Sequence, residues 1–379
     1  MFSWGMISTF SAFVNSFSSL IAIRLLLGLF EAGLFPGMLL YQTLFYNKRQ
    51  ISLRTAYFYA TSAVAGAIGG LTSYGIGFMD NNGAGTAGWR AWRWIFLIIG
   101  IPTVLSAFFV PIVLPNSIET ATFLTEEERR LLRIMRDNEI GITASSKELH
   151  KEDVMAGVKD WKVYAWSLAQ FCGHAVLYSF SVFLPTIIRG MGTWNNAEVQ
   201  ALTVPVYTVG VIVYLTAARL SDRLQKRAVF CFAGGSLMIV GYALLIAHQS
   251  VAMSYAGCFV VAAGLWMSTG TSMAWLNVNN PRYGKRAYAS GMLITVGNSA
   301  GVASPFLFSD KHKPGYRPGY AATIGMLAFA LCLHVTLYLS LKRANARKLS
   351  GQEDWRMEGK TEEEIADLGE DNPRYLYTL

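Results

Sequence analysis

Two ionisable residues stand in surroundings that make them expensive. Glu31 lies inside the apolar run that begins at Arg24 and continues through Leu-Leu-Leu-Gly-Leu-Phe to Ala32, Gly33 and Leu34. If that run is buried in hydrocarbon, its carboxyl group favours the protonated form and can take up and release a proton. The alternative is a structural pair with a neighbouring helix. Arg24 precedes Glu31 by seven residues, which on a helix is roughly two turns along nearly the same face. A guanidinium presents a planar fork that fits a carboxylate, so Arg24 is a candidate anion-binding residue. It is equally readable as an interface anchor whose head snorkels to water.

A second set is polar rather than charged. His174 and Tyr178 are four apart and share a helix face. Asn298 follows Gly297 in the middle of another apolar run, and Trp275 and Asn277 close a third. Polar groups at such depth face a cavity or a partner helix. Tyr178 and Asn298 are read as cavity residues, His174 as structural with titration as its alternative, and all five are candidates for substrate binding. Asn279 and Asn280 are read as interface residues. Cys172, Cys231, Cys258 and Cys332 show no metal-type spacing and read as small buried apolar residues. No phosphate loop, zinc motif or nucleophile elbow occurs. No metal, cofactor or enzymatic activity is therefore expected.

The elements that would hold these residues follow from composition. Hydrophobic residues make up 53% of the chain and charged residues 15%, against about 25% charged in soluble domains. Mean hydropathy is +0.34. The apolar residues come in blocks near the roughly 20 residues that cross a bilayer as a helix. Ten spans are read, at 3–17, 20–46, 55–78, 93–115, 163–188, 199–220, 228–247, 252–276, 287–308 and 320–341. With the first running outward, 25 of the 32 Lys and Arg fall on inner segments and 7 on outer ones. The positive-inside rule then places both termini in the cytoplasm, and the net charge of +8 reflects topology rather than affinity for nucleic acid.

Two stretches are polar enough to leave the bilayer. The loop 116–161 contains Thr125-Glu126-Glu127-Glu128, which reads as an N-cap with acids in a first helical turn. The tail, 343–379, is rich in charge and expected to be poorly ordered. The loop divides the spans into a four-helix bundle, 1–115, and a six-helix bundle, 162–342. The fold class is thus an all-α integral membrane protein. Transporters built from two joined helix bundles have this plan.

The run Arg24-Leu-Leu-Leu-Gly-Leu-Phe-Glu31-Ala-Gly-Leu-Phe-Pro36-Gly37 resembles helix four of the anion:cation symporters of the major facilitator superfamily, and most of all the fungal allantoate permease group. Leu114-Pro115-Asn116-Ser117-Ile118-Glu119, Phe123-Leu124-Thr125-Glu126-Glu127-Glu128-Arg129, Asp160-Trp161-Lys162, Gly297-Asn298, Ser304-Pro305 and Asn372-Pro373-Arg374-Tyr375 carry the same resemblance. It implies that the ten spans are family helices three to twelve, with no counterpart to the first two. It implies proton coupling at Glu31 and substrate handling at Arg24. Ala218-Arg-Leu-Ser-Asp222-Arg223-Leu-Gln-Lys226-Arg227 resembles the family's cytoplasmic loop motif, with Ala218 for glycine, and implies gating by Asp222, Arg223 and Arg227. The implied partners are a small organic anion, protons and the lipid of the plasma membrane, with the chain a monomer. The implied activity is secondary transport by alternating access. The alternative is a truncated, non-transporting relative acting as a membrane sensor or partner.

Overall fold

The computed structural model describes residues 1–46, 50–77, 89–140, 150–194, 196–247, 250–308 and 316–379. Lys48, Arg49, Lys147, Lys311 and Lys313, counted above for topology, lie outside the described residues, as do His248 and His312. The elements, in chain order, are α1 (Phe2–Phe10), α2 (Phe17–Glu31), α3 (Leu34–Phe45), α4 (Ile51–Gly77), α5 (Ala91–Val113), α6 (Glu126–Ile140), α7 (Lys151–Lys159), α8 (Trp161–Arg189), α9 (Asn196–Leu224), α10 (Arg227–Ala247), α11 (Val251–Val278), α12 (Tyr283–Leu307), α13 (Arg317–Leu349) and α14 (Glu362–Asp367). The expected all-helical membrane fold holds, and each apolar run forms helix.

Seven segments among the described residues are long and apolar enough to cross a bilayer. α4 and α12 match them in length, at 27 and 25 residues, but carry more small and polar residues. α1 has only 9 residues, short of a full crossing. The second run is interrupted at Ala32 and Gly33, between α2 and α3. Pro36 has no N–H to offer the Ala32 carbonyl, which breaks the ladder there.

The described residues form two compact units. Unit 1 comprises Met1–Phe45 and Val64–Arg133, and unit 2 comprises Tyr46–Ala63 and Ile134–Leu379. In unit 1, α1 packs on α5 at a close crossing. A Cβ on Gly5 would lie 3.0 Å from the Val104 backbone nitrogen, and one on Gly100 2.8 Å from that of Thr9. α6 begins with a capping box, in which the Glu128 carboxylate accepts from the Thr125 N–H at 2.9 Å and the Thr125 hydroxyl accepts from the Glu128 N–H at 3.3 Å. Those bonds hold the Glu128 carboxyl below its ordinary range.

Unit 2 is a tighter bundle. α10 and α11 run antiparallel with glycines back to back. A Cβ on Gly234 would sit 2.8 Å from the Gly264 carbonyl oxygen, and one on Gly241 2.9 Å from that of Gly257. Such backbone approach is how helices associate where apolar burial gives no preference over lipid. α8 packs on α12 and α13. Three cysteines are buried, but Cys332 is exposed on α13, so the buried reading fails for that one. The tail is not disordered. It forms α14 and two short 3-10 turns, and its last residues lie against the ends of α10, α11 and α13.

Candidate functional site

Arg24 and Glu31 lie on α2, a helix with no buried residue. Both side chains are exposed. The Arg24 guanidinium stacks over the Phe96 ring of α5, 5.5 Å from its centroid. Neither side chain forms an ion pair among the described residues. α2 therefore presents one cation and one carboxyl group, roughly 10 Å apart along the axis, at the open surface of unit 1. Glu31 is the final residue of α2, next to the break that Pro36 imposes.

In unit 2 the polar residues of α8 meet α12. The Tyr178 hydroxyl donates to Asn298 Oδ1 at 3.0 Å. Asn298 is exposed and Tyr178 half-buried, so this pair opens onto accessible space. One turn further, His174 is buried, and its Nε2 lies 2.9 Å from the Gln170 amide nitrogen. Gly297 makes room for it, since a Cβ there would be 2.9 Å from Nδ1. Gln170 also lines a cavity of about 10 Å³ with Ser268, Thr269, Ser272 and His334, enough for one water molecule. His334 Nε2 lies 3.2 Å from the Ser272 hydroxyl. Tyr59, from the first half of α4, is buried edge-to-face against Tyr214, with centroids 6.1 Å apart.

Asp222 and Arg223 lie in the last turn of α9, and Arg227 is the first residue of α10. Gln225 takes a left-handed φ of 53° and donates from its side chain to the Asp222 carbonyl at 2.6 Å. That turn brings the fully buried Arg227 to within 3.2 Å of Asp222 Oδ1. The other carboxylate oxygen accepts from the Leu53 N–H at 2.7 Å. Asp222 thus caps the first turn of α4 from a distant part of the chain. Arg223 is exposed.

Trp275 and Asn277 sit in a buried layer near the end of α11. Trp275 packs edge-to-face on Trp166, with centroids 5.2 Å apart, and its indole N–H donates to the Thr378 carbonyl at 2.7 Å. Asn277 accepts from the Ser290 hydroxyl at 2.6 Å and donates to the Met273 carbonyl at 3.1 Å. Asn279 and Asn280, read as interface residues, are buried. Asn279 is covered because the tail bonds to it. Nearby, Lys285 bridges Asp160, the N-cap of α8, and Glu370 of the tail. Burial alone would raise the Asp160 carboxyl, but the Lys162 and Lys285 ammonium groups outweigh it and hold it below its ordinary range. Burial would lower Lys285, but Glu370 and Asp160 hold it above its ordinary value.

The profile of the Major Facilitator Superfamily matches residues 1–305. The chain belongs to the major facilitator superfamily. Among its superfamily relatives is an uncharacterised transporter of Schizosaccharomyces pombe, 37% identical over 92% of this chain and 68% of the relative. Another is the high-affinity nicotinic acid transporter of Saccharomyces cerevisiae, 28% identical over 91% of this chain and 63% of the relative. Among solved structures, the proton:xylose symporter XylE superposes with a TM-score of 0.63 at 14% identity, over 90% of this chain and 77% of that one. That likeness speaks to the major facilitator fold alone. The chain is an integral membrane protein of a transporter family. Gln170, His334, Lys285 and the tail contacts escaped the sequence reading. The matched seven-residue spacing of Gly234 with Gly241 and of Gly257 with Gly264 was the available signal for the α10–α11 crossing.

Proposed function

We propose that the protein is a secondary transporter that carries a small organic anion together with a proton by alternating access, in the manner of the allantoate permease group. The observation that carries this reading is the pairing on α2 of one guanidinium and one carboxyl on exposed positions of an otherwise apolar membrane helix. A charge at that depth is retained when it has work to do. Arg24 attracts and binds the anion, and Glu31 carries the proton. Tyr178 and Asn298 contribute a hydrogen-bonding pair to the substrate, with His174 behind them fixing Tyr178. Asp222 and Arg227 steady one end state by capping α4, with Arg223 beside them. A nicotinic acid transporter among the relatives supports a carboxylate as the substrate class. The orientation drawn from the basic residues places the tail and the Asp222 loop in the cytoplasm, and the plasma membrane is the site of action.

The test is uptake of radiolabelled nicotinate, allantoate and pantothenate by cells expressing the chain, across external pH. Saturable uptake of at least one, stimulated by acid, supports the reading. Glu31→Gln is expected to lose the acid stimulation, and Arg24→Gln to lose uptake of the anion. Absence of uptake of every carboxylate by a chain verified at the cell surface contradicts it.

A further inference from the structure

The residues after α14 turn back over one end of unit 2 and are gripped by their main chain. Asn279, at the end of α11, donates to the Thr378 carbonyl at 3.0 Å and accepts from the Thr378 N–H at 2.8 Å. Asn345, on α13, donates to the Tyr377 carbonyl at 2.9 Å and accepts from the Tyr377 N–H at 2.8 Å. The Trp275 indole also donates to the Thr378 carbonyl. Lys348 reaches the carbonyls of Asn372 at 3.2 Å and Tyr375 at 3.0 Å. The Tyr375 hydroxyl donates to the Val278 carbonyl at 2.8 Å. At the start of α12, the N-cap residue Arg282 donates to the Asp367 carbonyl at 2.7 Å, and Lys285 in its first turn pairs with Glu370. The last contact is the Arg227 N–H on the Leu379 carbonyl at 2.6 Å.

Two features set this apart from ordinary packing. The grip comes from the ends of four helices, α10 to α13, so one strand ties them together. Its polar part is made largely of hydrogen bonds to backbone; the Tyr377 ring is buried beneath the Lys162 and Lys348 ammonium groups, while Leu376 and Arg374 between the anchors stay exposed. Hydrogen bonds of that kind exchange with water at small net gain, so the strand can leave at the cost of uncovering the one Tyr377 ring, with every helix kept. Its final contact falls on Arg227, whose side chain holds Asp222 and through it the first turn of α4.

We propose that Asp367–Leu379 is a releasable latch. Docked, it holds the ends of α10 to α13 together and keeps the Asp222–Arg227 loop in place. Released, it frees that end of unit 2 to open. The latch rests on the alternating-access reading only for the motion it restrains, and its test needs no substrate.

The purified full-length protein in lipid nanodiscs is compared with Asn279→Ala/Asn345→Ala, and with Thr378→Pro, which removes one tail N–H and leaves every helix unaltered. Trypsin cleavage after Arg374 reports release of the tail. Alkylation by N-ethylmaleimide, mapped by peptide mass spectrometry, reports opening. Cys231 lies one turn into α10 from Arg227, while Cys172 and Cys258 are buried elsewhere in unit 2. The expected result is cleavage and Cys231 alkylation each faster by about tenfold or more, from the loss of several bonds, with Cys172 and Cys258 unchanged. Equal acceleration at all three buried cysteines would show a general stabiliser and overturn the latch. So would faster cleavage with unchanged Cys231, or unchanged cleavage in both variants.

Discussion

Tyr178 and Asn298 bond to each other at an accessible face of unit 2, and each can turn the same hydrogen bond toward a ligand. Under the proposed function, Tyr178→Phe removes one such bond, worth about 0.5–1.5 kcal/mol. The expected outcome is a KM raised by roughly two- to tenfold, with the maximal uptake rate unchanged, read from uptake kinetics. A fall in the maximal rate at constant KM would instead make the pair part of the moving parts. At this scale the sequence was informative where a residue type contradicts its neighbours. Glu31 and Arg24 stand out in an apolar run, and Asn298 stands out beside Gly297. It was uninformative where a role depends on a distant partner. Gln170 is an ordinary glutamine until it faces His174, and Lys285 reads as a topology-setting lysine until it lies between Asp160 and Glu370.

Among the elements, the α10–α11 crossing and the loop before α10 make the sharpest claims. The back-to-back glycines leave no room for a side chain, so Gly264→Leu forces the helices apart. Overpacking of this kind costs about 1–3 kcal/mol or more, and the expected result is a lower unfolding temperature of the purified protein. The same substitution at Gly69, which has open space around it, is expected to change that temperature little. At the end of α9, Asp222→Ala removes the carboxylate that pairs with the fully buried Arg227. Losing one member of a buried pair costs about 3–5 kcal/mol, so a sharp drop in folded yield is expected by fluorescence-detected size exclusion. Adding Arg227→Met removes the buried charge and should restore part of that yield. The helices themselves were legible because apolar blocks of bilayer length leave little choice of structure. The break after Glu31 needed Pro36 to be read as a ladder-breaker rather than as one more apolar residue. The order of the tail was not legible, because charged composition alone gives no sign that Asn279, Asn345 and Lys348 wait for its backbone.

At the scale of the molecule, the question is which groups make it respond to pH. The Asp160–Lys285–Glu370 cluster does so only at the extremes. Asp160 is held below its ordinary range, so its contribution is complete above the unfolded value and is lost as pH falls through the lower folded one. Lys285 is held above its ordinary value, so its contribution is complete below the unfolded value and is lost as pH rises through the higher folded one. Between roughly pH 5 and 9 neither group titrates. The unfolding temperature is expected to be flat across that window as far as this cluster is concerned, and to fall below about pH 4.

The most direct measurement is substrate-driven proton entry. The full chain is reconstituted in liposomes loaded with a pH-sensitive dye, and a transported carboxylate is added outside without a proton gradient. The account predicts acidification of the lumen by the wild-type protein. It predicts none by Glu31→Gln, which should still exchange labelled for unlabelled substrate. Acidification that survives in Glu31→Gln, or wild-type uptake with no proton entry, would contradict the coupling at the centre of the account.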